Sequence, residues 1–175
     1  MTRIRSFPPI ENPDATLLIL GSMPGKESLR AGQYYAHPRN AFWPIMGELT
    51  GATPDLPYEI RIEKMKAAGI ALWDVLASCT RPGSMDADID PDSIRANDFA
   101  AFFRKHPRIT HVYFNGAMAE QYFHKHVGES LGEQKLRYQR LPSTSPAHAS
   151  LSHAQKVKAW RAILRSTRDA QEYIP

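Results

Sequence analysis

Short, unbroken apolar runs alternate with helical patterns along the chain, and this alternation limits the folds that are available to it. The clearest run, residues 16–20, reads TLLIL and ends at Gly21. Similar runs cover residues 70–76, 109–114 and 136–141. Such runs are typical of strands that are buried on both faces of a parallel sheet. We therefore expect an α/β fold with three α/β/α layers around a central, mainly parallel, four-stranded sheet.

The apolar spacing between these runs predicts helices that cover the sheet. Two of them are expected over residues 58–68 and 117–127. Three others carry a candidate N-terminal capping signal, at Asn40, at Asp90 or Asn97, and at Ser152 together with Gln155. The Pro-rich lead, residues 1–15, is expected to be extended and to lack regular structure.

Composition sets limits on the kind of protein. The 175 residues and 42% hydrophobic content predict a single domain over residues 1–175, and no apolar run approaches the about 18 residues of a membrane span. The start of the sequence lacks the apolar segment of a secretory signal. A single cysteine, Cys79, fits a reducing compartment, so we expect the protein to be cytoplasmic. We also expect it to be a monomer. The net charge of +4 weakly favours a polyanionic partner.

The loops that are richest in polar and special residues follow the predicted strands directly. They cover residues 21–25, 77–90, 115–116 and 142–148. Right-handed crossovers bring the carboxyl ends of parallel strands to one edge, which is where open α/β sheets bind ligands. We therefore expect the functional cleft at that edge.

Residues 34–43 (YYAHPRNAFW) concentrate aromatic side chains close to the predicted cleft. Four aromatic residues, a cation, an imidazole and an amide fall within ten positions. Such a segment builds either the wall of a pocket or part of a core. From the residues alone, Tyr34, Phe42 and Trp43 suit the core, and Asn40 suits an N-cap as well as a catalytic role.

Five ordered segments resemble the uracil-DNA glycosylase superfamily: GSMPG (21–25), YYAHPRNAFW (34–43), LWDVLASC with RPGSMD (72–86), FNGAMA (114–119) and LPSTSPAHA (141–149). The pattern is most similar to the hypoxanthine-DNA (DNA-deoxyinosine) glycosylase branch. This resemblance implies a monofunctional DNA glycosylase that hydrolyses the N-glycosidic bond of deaminated bases, hypoxanthine first and uracil second, in base excision repair. It implies DNA with deaminated bases as the partner, and neither a cofactor nor a metal.

Two positions depart from the superfamily pattern. Met23 stands where other branches carry a catalytic amide or acid, and Leu141 precedes Pro142 where others have a histidine. The resemblance to the hypoxanthine branch then assigns catalysis to Asn40, whose amide oxygen would hold the attacking water. Help for the departing base would have to come from another group.

The same motifs imply how the base is bound. The N–H groups of Ser22 and Met23, which follow Gly21, would donate to a carbonyl of the base, and Tyr35 would lie against its flat face. Asp74 occupies the base-reading position of the superfamily and would accept the N1–H of hypoxanthine. Asn115 is a competing reader.

The resemblance also implies contacts with the DNA backbone. Ser143 and Ser145 would bond phosphates, the segment through His148 would enter the gap left by a flipped nucleotide, and Arg81 would contact the DNA.

Plainer interpretations stay open beside these roles. Asp74 would cap a loop or pair with Arg81, His37 would be a local hydrogen-bond anchor, and Lys156, Lys158 and Arg161 would form a solvated helix face. A different function is also open, because Met23 and Leu141 remove expected catalytic groups. That alternative is a catalytically silent module that binds damaged or single-stranded DNA, or a nucleotide, on the same fold.

Overall fold

The computed structural model describes residues 2–166. The strands, in chain order, are β1 (Arg3–Arg5), β2 (Leu17–Gly21), β3 (Ile70–Asp74), β4 (Leu76–Thr80), β5 (Arg95–Ala96), β6 (His111–Asn115) and β7 (Arg137–Leu141). The helices are α1 (Lys26–Ala31), α2 (Phe42–Thr50), α3 (Tyr58–Ala67), α4 (Phe99–Lys105), α5 (Ala117–His126) and α6 (His153–Trp160). None of the helices within residues 2–166 has the length and apolar character needed to cross a membrane.

Strand β2 lies inside the main sheet, whose strand order is β3-β2-β6-β7. Every neighbouring pair in this sheet is parallel. All five residues of β2 are buried, as expected for an apolar run that helices cover on both sides. The predicted four-stranded parallel sheet is confirmed.

Helices on both faces complete the three layers. Successive side chains of a strand point to opposite faces, so β2 contributes to two cores. Leu18 lies in a hydrophobic cluster with Phe123 of α5, whereas Leu17 lies in a separate cluster with Met46 of α2 and Trp160 of α6.

The apolar run over residues 70–76 forms two strands and not one. Strand β3 ends at Asp74 in the parallel sheet, and β4 begins two residues later in a second, antiparallel sheet with the order β1-β4-β5. At the switch, the N–H of Val75 donates to the carbonyl of Gly21 at 2.9 Å. This bond ties the start of the second sheet to the carboxyl end of β2.

The expectation that residues 1–15 lack regular structure is wrong. Residues Arg3–Arg5 form β1, which pairs antiparallel with β4, and Ile10 makes an isolated bridge with Leu72. The prolines begin only at Pro8, so they leave the N–H groups of β1 available for pairing.

The capping signals had mixed outcomes. The capping box of Ser152 and Gln155 is confirmed at the start of α6. Helix α4 is capped by Asp98, whose side chain accepts from the N–H of Ala101, and not by Asp90 or Asn97. Asp90 caps a separate 3₁₀ turn over residues 91–93.

Candidate active site

The carboxyl ends of β2, β3 and β6 bring predicted site residues to one edge of the sheet. Gly21 and Asp74 are the last residues of β2 and β3 and are direct partners in the register. Asn115 is the last residue of β6, which lies on the other side of β2. The alternation of strands and helices therefore does place these three residues together.

Gly21 leaves room for two polar groups. A Cβ atom at this position would lie 2.5 Å from Oδ1 of Asp74 and 2.9 Å from the hydroxyl of Tyr35, so only glycine fits. Asp74 is 4% exposed, and its Oδ2 is buried without a hydrogen-bond partner in the described part of the chain. The Tyr35 hydroxyl is likewise buried and makes no hydrogen bond of standard geometry among those residues, and the side chain of Asn115 lies near it. We call Gly21, Tyr35 and Asp74 the Gly21 corner.

Tyr35 is held in an unusual backbone conformation at this corner. Its φ is 54°, in the left-handed region that costs a non-glycine residue roughly 1 kcal/mol or more. One face of its ring stacks on Phe42, with ring centroids 4.1 Å apart. By contrast, Tyr34 and Trp43 are core residues: the Tyr34 hydroxyl donates to the carbonyl of Pro8, and the Trp43 indole donates to the carbonyl of Tyr34.

Asn40 lies at the start of α2 and is partly exposed. Its Oδ1 accepts the N–H of Phe42 at 2.9 Å, although the residue in the N-cap position of α2 is Ala41. The N–H of Ala41 in turn donates to the carbonyl of Thr144 at 2.9 Å. The amide is therefore held by its own turn and lies next to the loop after β7. Nearby, the Nδ1 of His37 accepts the N–H of Arg39, which is the predicted local anchor.

The loop after β4 supplies a second carboxylate to this edge. Asp86 accepts a hydrogen bond from the hydroxyl of Ser22 at 2.5 Å, and its Oδ1 lies 3.8 Å from the guanidinium of Arg81. Burial raises the pKa of Asp86, while the Ser22 bond and Arg81 oppose this shift. Burial, followed by the charge of Asp86, raises the pKa of Asp74 to about 7, and Arg81 partly offsets this.

Asn115 uses both ends of its amide to hold the loop after β7. Its Nδ2 donates to Oγ1 of Thr144 at 2.9 Å, and its Oδ1 accepts the N–H of Thr144 at 2.9 Å. Thr144 is 1% exposed. The carbonyl of Thr144 also accepts the N–H of Ala41. Thr144 therefore connects the loop to the carboxyl end of β6 and to the start of α2.

Comparison with known proteins identifies the family. The protein-family model for the uracil DNA glycosylase superfamily matches residues 8–165 of the sequence. The chain belongs to the uracil DNA glycosylase superfamily. It is 35% identical over 163 residues to a hypoxanthine DNA glycosylase from Methanosarcina acetivorans, a match that covers 92% of this chain and 98% of that protein. A hypoxanthine DNA glycosylase from Methanosarcina barkeri is 37% identical over 119 residues, covering 67% of this chain and 74% of that protein.

A solved structure supports the same fold. A solution NMR structure of a candidate uracil DNA glycosylase from Methanosarcina acetivorans superimposes with a TM-score of 0.77. It is 32% identical in sequence, and the match covers 95% of this chain and 99% of that one. The expected uracil-DNA glycosylase-like architecture is thereby confirmed.

Two residues of this superfamily member take positions that the sequence analysis did not assign to the site. Asp86 contacts Ser22 and Arg81, and Thr144 joins Asn115 to Ala41. Asp86 lies in the RPGSMD segment, which is one of the segments that resemble the superfamily, so this motif could have indicated Asp86 as a site residue. Nothing in the sequence distinguishes Thr144 from the serines beside it.

Arg81 is buried and not on the surface. It is 5% exposed, and its guanidinium donates to the carbonyls of Pro24 and Gly83 at 2.6 and 2.7 Å. These bonds tie the GSMPG loop to the loop after β4. The buried guanidinium therefore acts as a structural tie between the two loops, and a contact between Arg81 and DNA stays a prediction.

Ser143, Ser145 and His148 are only partly buried, unlike Thr144 between the two serines. The hydroxyls of both serines accept backbone N–H groups within the loop, which fixes the loop conformation. Behind the loop, Nζ of Lys156 donates to the carbonyl of His148 at 2.7 Å. Lys156 is 6% exposed, so its assignment to a solvated face is wrong, whereas Lys158 and Arg161 are exposed.

The two departures from the superfamily pattern are core positions. Met23 is 7% exposed and Leu141 is 2% exposed, and each packs in a hydrophobic cluster. Neither side chain offers a polar group that could act in catalysis. Within residues 2–166, no group of three or more His, Cys, Asp or Glu side chains is arranged to hold a metal ion.

Proposed function

We propose that this protein is a monofunctional DNA glycosylase that removes deaminated bases from DNA, hypoxanthine first and uracil second. The observation that carries the proposal is the 35% identity, over nearly the full length of both chains, to a protein named hypoxanthine DNA glycosylase. The reaction is hydrolysis of the bond between base and deoxyribose. Positive charge develops on the sugar and negative charge on the base in its transition state.

Asn40 is the proposed catalytic residue. A carboxamide oxygen has two lone pairs, so Oδ1 can accept the N–H of Phe42 and also a water molecule. The bond to Phe42 fixes the direction of the amide, which is the preorganisation that a water-positioning group requires. A neutral amide also faces the sugar cation without the cost of a buried charge.

The Gly21 corner is the proposed binding site for the base. Ser22 and Met23 would present backbone N–H groups to a base carbonyl, and Asp74 would accept the N1–H of hypoxanthine. Phe42 stacks on one face of the Tyr35 ring, and the base would stack on the other face. Asn115 is the competing reader, but both ends of its amide bond Thr144, which supports a positioning role for it.

The loop over residues 142–148 is the proposed DNA contact. Ser143, Ser145 and His148 would meet the backbone around a nucleotide that is flipped out of the helix. The bonds from Thr144 to Asn115 and Ala41 support this role because they fix the loop beside Asn40. We further propose that the enzyme acts as a monomer, in the cytoplasm, without metal or cofactor.

The test is cleavage of DNA that carries one deoxyinosine or deoxyuridine. The oligonucleotide is incubated with the protein in EDTA and then treated with alkali, which breaks the strand at an abasic site. We expect scission at the lesion. Tight binding with an intact strand would instead support the silent damaged-DNA-binding module, an alternative that the buried Met23 and Leu141 keep open.

Replacement of Asn40 by Ala separates catalysis from folding. We expect at least a hundredfold loss of single-turnover rate, with DNA binding retained. The matched control is Asn12→Ala, because Asn12 makes the same kind of turn: its Oδ1 accepts the N–H of Asp14 at 2.9 Å. Asn40→Ala should lose about 1 kcal/mol of stability, the usual cost of such a local bond. Asn12→Ala should lose about 1 kcal/mol more, because the Nδ2 of Asn12 also donates to the carbonyl of Lys66 at 3.1 Å. Equal cleavage by the two variants would remove Asn40 from the catalytic role.

A further inference from the structure

Asp74 carries a buried carboxyl oxygen that nothing in the described structure satisfies. The residue is 4% exposed, and its Oδ2 has no hydrogen-bond partner among residues 2–166. Its Oδ1 faces the space that a side chain on Gly21 would fill. An ionised carboxylate in such a position has a large desolvation cost, whereas a neutral carboxylic acid does not.

The charged and titratable neighbours of Asp74 also favour its neutral form. Asp86 lies on the loop after β4, and its negative charge raises the pKa of Asp74. Arg81 opposes this effect, but its guanidinium hydrogen-bonds to Pro24 and Gly83 and not to Asp74. Tyr34 and Tyr35 face Asp74 from the segment before α2, and both are uncharged because burial raises their pKa values.

The proposed reaction requires a group that stabilises the departing base. Leu141, at the position where other branches have a histidine, is buried in the core. Asn40 faces the sugar in the proposed arrangement and does not serve this need. The N–H groups of Ser22 and Met23 would donate to a base carbonyl in the proposed arrangement, and the Gly21 corner offers a side-chain donor beside them.

We propose that Asp74 acts as a neutral acid whose O–H donates to the carbonyl oxygen of the departing base, while its other oxygen accepts the neighbouring ring N–H. This inference rests on the proposed glycosylase function and adds a catalytic residue to it. Hypoxanthine and uracil share the required edge, a ring N–H beside a C=O. Hydrogen bonds to developing negative charge strengthen in the transition state, so this contact accelerates bond cleavage.

The bond changes balance without any further reactant. The electron pair of the C1′–N bond moves to the base, and the water held by Asn40 supplies hydroxide to C1′. The remaining proton of that water neutralises the base after it departs. Asp74 keeps its own proton throughout and acts by hydrogen bonding, so it is ready for the next turnover.

The hydroxyl of Tyr35 lies beside the same Gly21 position as Oδ1 of Asp74. A base that bonds the carboxyl would therefore also lie close to the Tyr35 side chain.

The test is the pH dependence of single-turnover cleavage between pH 5.5 and pH 8.0, with enzyme in excess over DNA that carries deoxyinosine or deoxyuridine. Because the neutral acid is the active form, the wild-type rate should fall roughly tenfold across this range. Asp74→Asn offers an N–H donor at every pH, so its rate should stay constant over the range. Asp74→Ala should be slow throughout, and the exposed Asp55→Asn should keep the wild-type profile.

A second measurement observes the carboxyl itself. Carbon-13 labelling of aspartate carboxyls, followed by NMR, should reveal a carboxyl in the wild-type protein that titrates near neutral pH, and its resonance should be absent from Asp74→Asn, which distinguishes it from Asp86. Three results would each overturn the role of Asp74 and leave the glycosylase function standing. They are a wild-type cleavage rate that does not change with pH, a cleavage rate of Asp74→Asn that falls with pH as in wild type, and titration of every aspartate below pH 5. No cleavage of either DNA at any pH would refute the glycosylase function itself.

Discussion

Replacing Asp74 with Asn should change how the stability of the protein depends on pH. The pKa of Asp74 is raised from its ordinary value of 3.8 to about 7, chiefly because the carboxyl is buried. Between these values the unfolded chain has released the Asp74 proton while the folded protein retains it. The unfolded state binds fewer protons in that range, so the free energy of unfolding falls as the pH rises from 4 to 7 and then levels off.

The shift of about 3 pKa units sets the size of this effect. Each unit corresponds to about 1.4 kcal/mol, so Asp74 removes roughly 4 kcal/mol of stability between pH 4 and pH 8. The full value applies because the side chain is almost completely shielded from solvent. An asparagine has no proton to lose, so the stability of Asp74→Asn relative to wild type should increase by the same amount over this range.

Urea unfolding followed by circular dichroism measures this directly. Wild type, Asp74→Asn and the exposed control Asp55→Asn are compared at half-unit steps from pH 4 to pH 8.5. The slope of free energy against urea must stay equal among the proteins for the comparison to hold. The difference in free energy of unfolding between Asp74→Asn and wild type is the quantity to follow. If this difference changes by less than about 0.5 kcal/mol between pH 4 and pH 8, the argument that Asp74 is buried as a neutral acid is refuted.

Two further substitutions test the geometry of the site. Gly21→Ala would place a methyl group 2.5 Å from Oδ1 of Asp74, so the single-turnover cleavage rate should fall at least tenfold. The control is Gly25→Ala, where the nearest atom to the added methyl group lies at 3.8 Å, and its cleavage rate should equal that of wild type. Asn115→Ala removes both bonds to Thr144 and leaves the Thr144 N–H unpaired, which should cost about 1–3 kcal/mol in urea unfolding and weaken DNA binding in a fluorescence-anisotropy titration. If Asn115→Ala binds DNA as tightly as wild type does, the loop over residues 142–148 does not contribute to DNA recognition.

The overall fold was accessible from the sequence because its signals are local. Apolar runs, glycines after strands and the capping box at Ser152 each depend on a few neighbouring residues. The error at residues 70–76 has a physical origin. The run is continuous in sequence, but the bond from Val75 to Gly21 switches the chain between two sheets, and no local pattern reports a bond across 54 positions.

The ordered motifs by themselves predicted the superfamily and Asn40 as the candidate catalyst, and the order of strands and loops predicted the edge of the sheet at which Gly21, Asp74 and Asn115 lie together. Only the tertiary structure decided which polar groups are paired. Ser22 meets Asp86 from 64 positions away and Asn115 meets Thr144 from 29, whereas Asp74 is left buried with an unpaired oxygen. Whether a carboxyl holds its proton depends on the solvent and charges around it, and the fold assembles those surroundings from distant parts of the chain.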